Sequence, residues 1–229
     1  MSASPEPAEP RVVVVEDHHL FAQAMELALT AEGYDVRRVA PPDNPAAPGA
    51  LVSAVARHQP LVVLLDLDLG SFGDGVRVVE PLRQTGAHVV VVTGSGDRAR
   101  WGAAVRAGAR TVLSKTQPLE DVVATVRRIR TGLPVMDRAE RDELVDTWTR
   151  SQLDRKGLRT KLEQLSIRES QVLSHLMRGR TVREIAALSG VSEATVRTQV
   201  KSILSKLQVS SQLAAAGLAH EVGWRAPVG

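Results

Sequence analysis

Five residues able to do polar chemistry stand where apolar runs of this chain stop. Val12 to Val15 closes on Glu16 and Asp17, Leu61 to Leu65 on Asp66, Val89 to Val92 on Thr93, and Thr111 to Leu113 ends near Lys115. Alone, Asp66 would read as a strand terminus or the cap of the following turn. If the runs are parallel strands of one sheet, however, all their ends face the same edge, where ligands and chemistry gather. Close carboxylates repel one another unless a hard cation joins them, which points to Mg²⁺ held through oxygen ligands and water. With Mg²⁺ and the Lys115 ammonium nearby, a carboxylate can accept a phosphoryl group, because the added negative charge meets fixed positive charge. Asp66, on the central run, is the best acceptor.

The elements that must position these groups follow from periodicity. Short apolar runs without a helical period read as strands buried on both faces. Helical spacings separate them: Phe21, Ala24, Ala28 and Ala31, with Gly33 placed to end that helix; Leu51, Val52 and Val55; Val76, Val79 and Leu82; Trp101, Ala104 and Val105; and Leu119, Val122, Val126 and Ile129. Val36 to Ala40 adds a strand, Pro41 to Gly49 an irregular loop and Gly70 to Gly75 a glycine-rich turn. The alternation predicts an α/β doubly wound parallel sheet of about five strands over residues 11–131.

Beyond Gly132 and Pro134 the pattern changes. Residues 132–164 are dense in charge and read as a helical, solvated connector, with a short dimer coil as the rarer alternative. From Leu165 onward the period is helical throughout. Ser166 with Glu169, and Thr181 with Glu184, match the capping box and mark two helix starts. Ser189-Gly190-Val191 forms a turn, Ser192 is a natural N-cap, and Val196, Val200, Ile203 and Leu207 form a buried stripe. A last helix spans about Ser210 to Ala219, so residues 165–229 outline a four-helix, all-α helix-turn-helix domain.

Opposite the Val196 to Leu207 stripe lie Ala194, Thr198, Lys201 and Ser205, with Arg197 at the edge. Small residues there admit a helix into the major groove of DNA, where Arg197 and Lys201 reach guanine edges or phosphates. Thr195 joins these candidates, and Arg180, Arg183 and Lys206 are placed to neutralise phosphates. Charge distribution agrees: residues 165–229 carry eight of the 29 Lys/Arg but four of the 26 Asp/Glu, leaving 21 against 22 elsewhere. The positive excess therefore sits at the proposed DNA-reading end.

Composition excludes other classes. With no cysteine, disulfides, thiolate metal sites and thiol nucleophiles are ruled out. No apolar run reaches a membrane span, and the opening residues lack a signal pattern; residues 1–10 read as a disordered tail of a cytoplasmic protein with no membrane partner.

Across residues 11–131 the chain resembles the receiver domain of two-component response regulators. The resemblance implies Glu16 and Asp17 as the acidic Mg²⁺ pair, Asp66 as phosphoacceptor, Thr93 as the hydroxyl that follows the phosphoryl group and Lys115 as its counter-ion. It also implies that the backbone carbonyl of Asp68 completes the metal shell. Four features depart from the pattern: the turn has Leu69-Gly70 and one extra residue before Asp74-Gly75, the Pro41 to Gly49 loop is longer than common, Val112 stands where the switching aromatic is usual, and Thr116-Gln117 separate Lys115 from Pro118.

Leu165-Ser166-Ile167-Arg168-Glu169, Glu184-Ile185-Ala186 and Val191 through Val200, with Ile203 and Lys206-Leu207, resemble the LuxR-type DNA-binding domain. That implies Arg197, Thr198 and Lys201 in base or groove contact, and dimerisation through the final helix near Ser211 to Ala219. The combination resembles response regulators of the NarL/FixJ type. It implies a transcription factor, not an enzyme, in which a sensor histidine kinase phosphorylates Asp66 with Mg²⁺ and so controls homodimerisation and sequence-specific DNA binding.

Two other readings use the same residues. Asp66-Leu67-Asp68-Leu69 also resembles the nucleophile motif of haloacid-dehalogenase-type phosphatases, although their second acidic pair follows the lysine strand and here Glu120-Asp121 falls within a helix. Alternatively, the receiver fold no longer responds to phosphate and the chain is a phosphorylation-independent DNA-binding regulator.

Overall fold

A computed structural model of the chain describes residues 9–44 and 47–226. The tail expected at 1–10 therefore lies, apart from Glu9 and Pro10, outside the described residues. Two compact units divide at Thr149 and Arg150.

The first unit is built on β1 (Arg11–Val15), β2 (Asp35–Arg38), β3 (Val62–Leu65), β4 (His88–Thr93) and β5 (Thr111–Ser114), all parallel in the order β2-β1-β3-β4-β5. Between and after them run α1 (His19–Ala31), α2 (Pro48–Ala56), α3 (Val76–Gln84), α4 (Arg98–Arg106) and α5 (Leu119–Arg130). Strand side chains alternate between faces, so one sheet yields two cores. Val13, Val15, Val63, Leu65, Val89 and Val91 face α2, α3 and α4, whereas Val12, Val14, Val62, Leu64, Val90 and Val92 face α1 and α5. β3, at the centre, delivers Asp66 to the carboxyl edge.

The charged stretch forms one helix, α6 (Arg138–Glu163), but it is not the evenly solvated connector expected from its composition. Its first part belongs to the first unit: Leu144 is fully buried in the α2–α3–α4 core. Gly102 of α4 makes this possible, because a Cβ there would lie 2.0 Å from the Leu144 carbonyl oxygen and 2.9 Å from Trp148 Cβ. The two helix backbones meet where a side chain is missing.

The second unit holds the remainder of α6 with α7 (Ile167–Met177), α8 (Val182–Ser189), α9 (Glu193–Leu207) and α10 (Gln212–Glu221). Leu158 and Leu162 of α6 pack on its core, beside Leu173, Ile185, Val196, Val200, Ile203 and Leu207. Both expected capping boxes form, on Ser166 and Thr181, and Ser192 caps α9. Gly190 ends α8 at φ 64, the left-handed conformation that lets the chain turn sharply toward α9.

Candidate functional site

The carboxyl edge of the sheet gathers the acidic residues as their positions suggest. Asp66 is 2% exposed and Glu16 8%. Lys115, just past β5, donates to Asp66 Oδ2 at 2.7 Å and lies 2.6 Å from Glu16 Oε2, with its ammonium 5.1 Å from the centre of the Phe21 ring. Thr93 is fully buried at the end of β4; its hydroxyl accepts from the Ser95 N–H at 3.2 Å and its carbonyl from the Lys115 N–H at 2.9 Å.

Burial raises the Glu16 pKa, opposed by its hydrogen bond to Lys115. For Lys115, burial would lower the pKa, but the bonds to Asp66 and Glu16 outweigh it and the net shift is upward. One firmly charged ammonium thus faces the three carboxylates of Glu16, Asp17 and Asp66, leaving an excess of negative charge. Ligand atoms of Glu16, Asp17, His18 and Asp66 lie within 4.8 Å of one another. An oxygen-rich set with surplus negative charge fits a hard divalent cation such as Mg²⁺. Gly70, at φ +54, brings the turn so close that a Cβ there would lie 3.0 Å from Asp17 Oδ2. The Asp68–Gly70 segment therefore borders the acidic set.

Three residues in or beside the pocket were missed from sequence. His18 places Nδ1 2.8 Å from Asp17 Oδ1 and 3.0 Å from Glu16 Oε1, and its pKa is raised by the Glu16 bond and then the Asp17 charge. Its position directly after the acidic pair was the available signal. Phe21 entered only as a helix-face residue. Arg100 of α4 gave no local signal: it donates to the Leu67 carbonyl at 2.6 Å, to Asp68 Oδ1 at 2.6 Å and to Asp74 Oδ1 at 3.0 Å. It occupies the enlarged turn, whose Asp68 and Asp74 form an antiparallel bridge. Val112 is buried in the core and carries no aromatic ring toward Thr93.

In the second unit, Thr195, Arg197, Thr198 and Lys201 are exposed on α9, and Arg183 on α8. Arg197 donates to Glu193 at 2.8 Å and the Thr198 hydroxyl to the Ala194 carbonyl at 3.1 Å, both local bonds within the helix. Arg180 instead bonds His175 Nδ1 at 3.1 Å. Lys206, expected at phosphates, has partners in its own domain. Its side chain is partly exposed, with the ammonium 2.7 Å from Glu169 Oε2 and 3.2 Å from the Gln164 carbonyl. The reason is Glu169: it serves the capping box and is nearly buried, so it needs a cation from α9. Sequence reasoning saw the capping box and not this second demand.

The haloacid-dehalogenase reading requires a further acidic pair at the pocket. Glu120 and Asp121 instead lie in the first turn of α5, with Glu120 lining a groove with Ala28 and Glu32 of α1.

Comparison with known proteins agrees with this geometry. The family described as "Response regulator receiver domain" matches residues 12–127, and "Bacterial regulatory proteins, luxR family" matches residues 163–219. The probable transcriptional regulatory protein NarL of Mycobacterium tuberculosis is 30% identical over 223 residues, covering 93% of this chain and 94% of that protein. Transcriptional regulatory protein DesR of Bacillus subtilis is 27% identical over 173 residues, covering 76% of this chain and 79% of that protein. A solved structure of the RcsB response regulator of Salmonella typhimurium has the same fold at a TM-score of 0.51, with 19% identity, covering 93% of this chain and all (100%) of that one.

Proposed function

This chain is a response regulator, a member of the family that joins a receiver domain to a luxR-type DNA-binding domain, and from that premise we propose that Asp66 is its phosphoacceptor. The observation that carries the reading is the convergence on Asp66: Lys115 at 2.7 Å, with Glu16 bonded to the same ammonium at 2.6 Å.

In the proposed step a carboxylate oxygen of Asp66 attacks the phosphorus of a phosphohistidine on a sensor kinase, or of a small acyl phosphate. The new O–P bond forms as the P–N or P–O bond to the donor breaks, and the donor leaves with that electron pair. Lys115 holds the carboxylate and then meets a phosphoryl oxygen; Thr93, buried beside it, supplies the hydroxyl that follows the group. Glu16, Asp17, Asp66 and the Asp68 carbonyl would hold Mg²⁺, which supplies positive charge for the phosphoryl oxygens. The burial of Asp66 disfavours an extra negative charge without these partners.

On the output side, the proposed reader is the exposed face of α9. Thr195, Arg197, Thr198 and Lys201 contact the major groove, and Arg183 a phosphate. α10, whose Leu213 is 84% exposed, is the proposed dimer contact. Phosphorylation shifts the population toward a dimer competent for DNA. The first test is phosphate uptake from acetyl phosphate with Mg²⁺, read by intact mass. Wild type is expected to take up one phosphoryl group and Asp66→Ala none; undiminished labelling of Asp66→Ala would reject the site. An inert wild type that still binds specific DNA would support the phosphorylation-independent regulator instead.

A further inference from the structure

Val112 leaves the pocket without the usual aromatic lever, yet the acceptor is mechanically connected to a different element. Asp66 Oδ1 accepts from the Asp68 N–H at 3.1 Å, so the acceptor carboxylate itself holds the start of the following turn. The turn is a closed hairpin: Leu69 N–H donates to the Gly73 carbonyl at 3.2 Å and Gly75 N–H to the Leu67 carbonyl at 2.8 Å. It also lies hard against the acceptor's peptide, since a Cβ on Gly75 would come within 2.3 Å of the Asp66 carbonyl oxygen. A change at Asp66 is therefore passed to the hairpin as a unit.

Arg100 joins that hairpin to α4. Its side chain is 20% exposed and its fork reaches both Asp68 and Asp74 as well as the Leu67 carbonyl. Such planar, charge-assisted bonding transmits position better than a single flexible ammonium. Two residues further along α4, Gly102 meets the Leu144 carbonyl and Trp148 of α6. The same contact is flanked by Arg98, 3.2 Å from Glu143, and by Arg106, whose guanidinium lies 4.3 Å from the centre of the Trp148 ring. α4 is thus a short rod with the acceptor hairpin bonded at Arg100 and the first part of α6 packed beside it.

We propose that Arg100 is the positioning residue that couples the acceptor hairpin to α4, so that phosphorylation of Asp66 changes how residues 138–149 of α6 dock on α4. This inference rests on the reading of Asp66 as phosphoacceptor. Converting the carboxylate to an acyl phosphate alters the acceptor of the Asp68 N–H, the hairpin adjusts, Arg100 carries the adjustment into α4, and the close contact at Gly102 leaves α6 little room to ignore it.

The test uses the full chain with Mg²⁺ and acetyl phosphate, measuring phosphate uptake by intact mass and amide hydrogen exchange in peptides covering 138–149. In wild type, phosphorylation is expected to change exchange there by at least about fivefold, the low end of ordinary coupling between sites. Arg100→Gln is expected to take up phosphate normally and lose that response, and Arg100→Lys, which keeps the charge without the fork, to recover only part of it. Asp74→Asn, which leaves α4 untouched, is the second variant should Arg100→Gln fold poorly, and is expected to reduce the response. A response of wild-type size in Arg100→Gln or in Asp74→Asn would overturn the coupling, as would fully labelled wild type with unchanged exchange at 138–149. Loss of uptake in Arg100→Gln alongside labelled wild type would also overturn it and assign Arg100 to assembling the pocket. Absence of uptake in wild type would instead reject the Asp66 reading, and this inference with it.

Discussion

Replacing Lys206 with Met separates a structural role from a DNA-binding one. Glu169 has a side chain only 9% exposed and is held by the Lys206 ammonium at 2.7 Å, the Ser202 hydroxyl at 2.6 Å and the Ser166 N–H at 2.7 Å. Burial alone would raise its pKa; the bonds from Lys206, Ser202 and Ser166 overcome this and bring it down to about 2 from 4.5. A folded pKa below the unfolded one stabilises the domain above pH 4.5, and that contribution is lost as pH falls toward about 2. At about 1.4 kcal/mol per pK unit the whole shift corresponds to about 3 kcal/mol, shared among the partners. Because the Lys206 side chain is 37% exposed, its part is screened by solvent and is worth about 0.5–1 kcal/mol. Urea unfolding can be followed at Trp224 in a chain carrying Trp101→Phe and Trp148→Phe. Lys206→Met is expected to be less stable by that amount at pH 7, and the difference should shrink as pH falls through about 2, as Glu169 of the wild type becomes protonated too. A difference that stays constant across this pH range would refute the pairing. The same variant, measured under conditions where it is folded, should leave the salt dependence of DNA binding unchanged.

Gly75→Ala should destabilise the first unit by about 1–3 kcal/mol, because its Cβ would meet the Asp66 carbonyl oxygen at 2.3 Å with no flexible side chain to yield; an unchanged unfolding midpoint would contradict that close approach. Gly102→Ala is expected to leave the sheet folded while loosening residues 138–149, seen as faster proteolysis there, since the obstructing atom is the Leu144 backbone carbonyl oxygen at 2.0 Å. Lys201→Ala should weaken DNA binding and lower the slope of log K against log salt by about 1 if the ammonium sits at a phosphate; an identical slope and affinity would remove it from the interface.

Legibility from sequence followed the length scale of the interaction. Val12 to Val15 and Leu61 to Leu65 announce buried parallel strands because each is apolar on both faces, and the ends of such strands share an edge; the sequence alone therefore brings Glu16, Asp66 and Lys115 together. The capping boxes at Ser166 and Thr181 are bonds between residues three apart and were equally visible. Arg100 was not, because its partners Leu67, Asp68 and Asp74 lie across a different crossover and nothing local marks one arginine among many. The burial of Leu144 was hidden for a similar reason: a sparse apolar set such as Leu144, Val145 and Trp148 amid charges looks solvated until Gly102, 42 positions before Leu144, removes the side chain that would hold α6 away. The pairing of Lys206 with Glu169 was hidden because charge alone does not show whether a cation has a carboxylate partner in its own domain.

Oligomeric state, followed as phosphate is added, is the most direct test of control through Asp66. A titration of wild type and Asp66→Asn with acetyl phosphate and Mg²⁺, read in parallel by intact mass and by sedimentation with and without DNA, measures acceptance and output in one sample. The expected result is that dimer and DNA complex grow in proportion to the fraction of wild type carrying one phosphoryl group, while Asp66→Asn gains neither label nor dimer. Label that accumulates on wild type with no change in dimer or DNA complex, or label on Asp66→Asn, would contradict it.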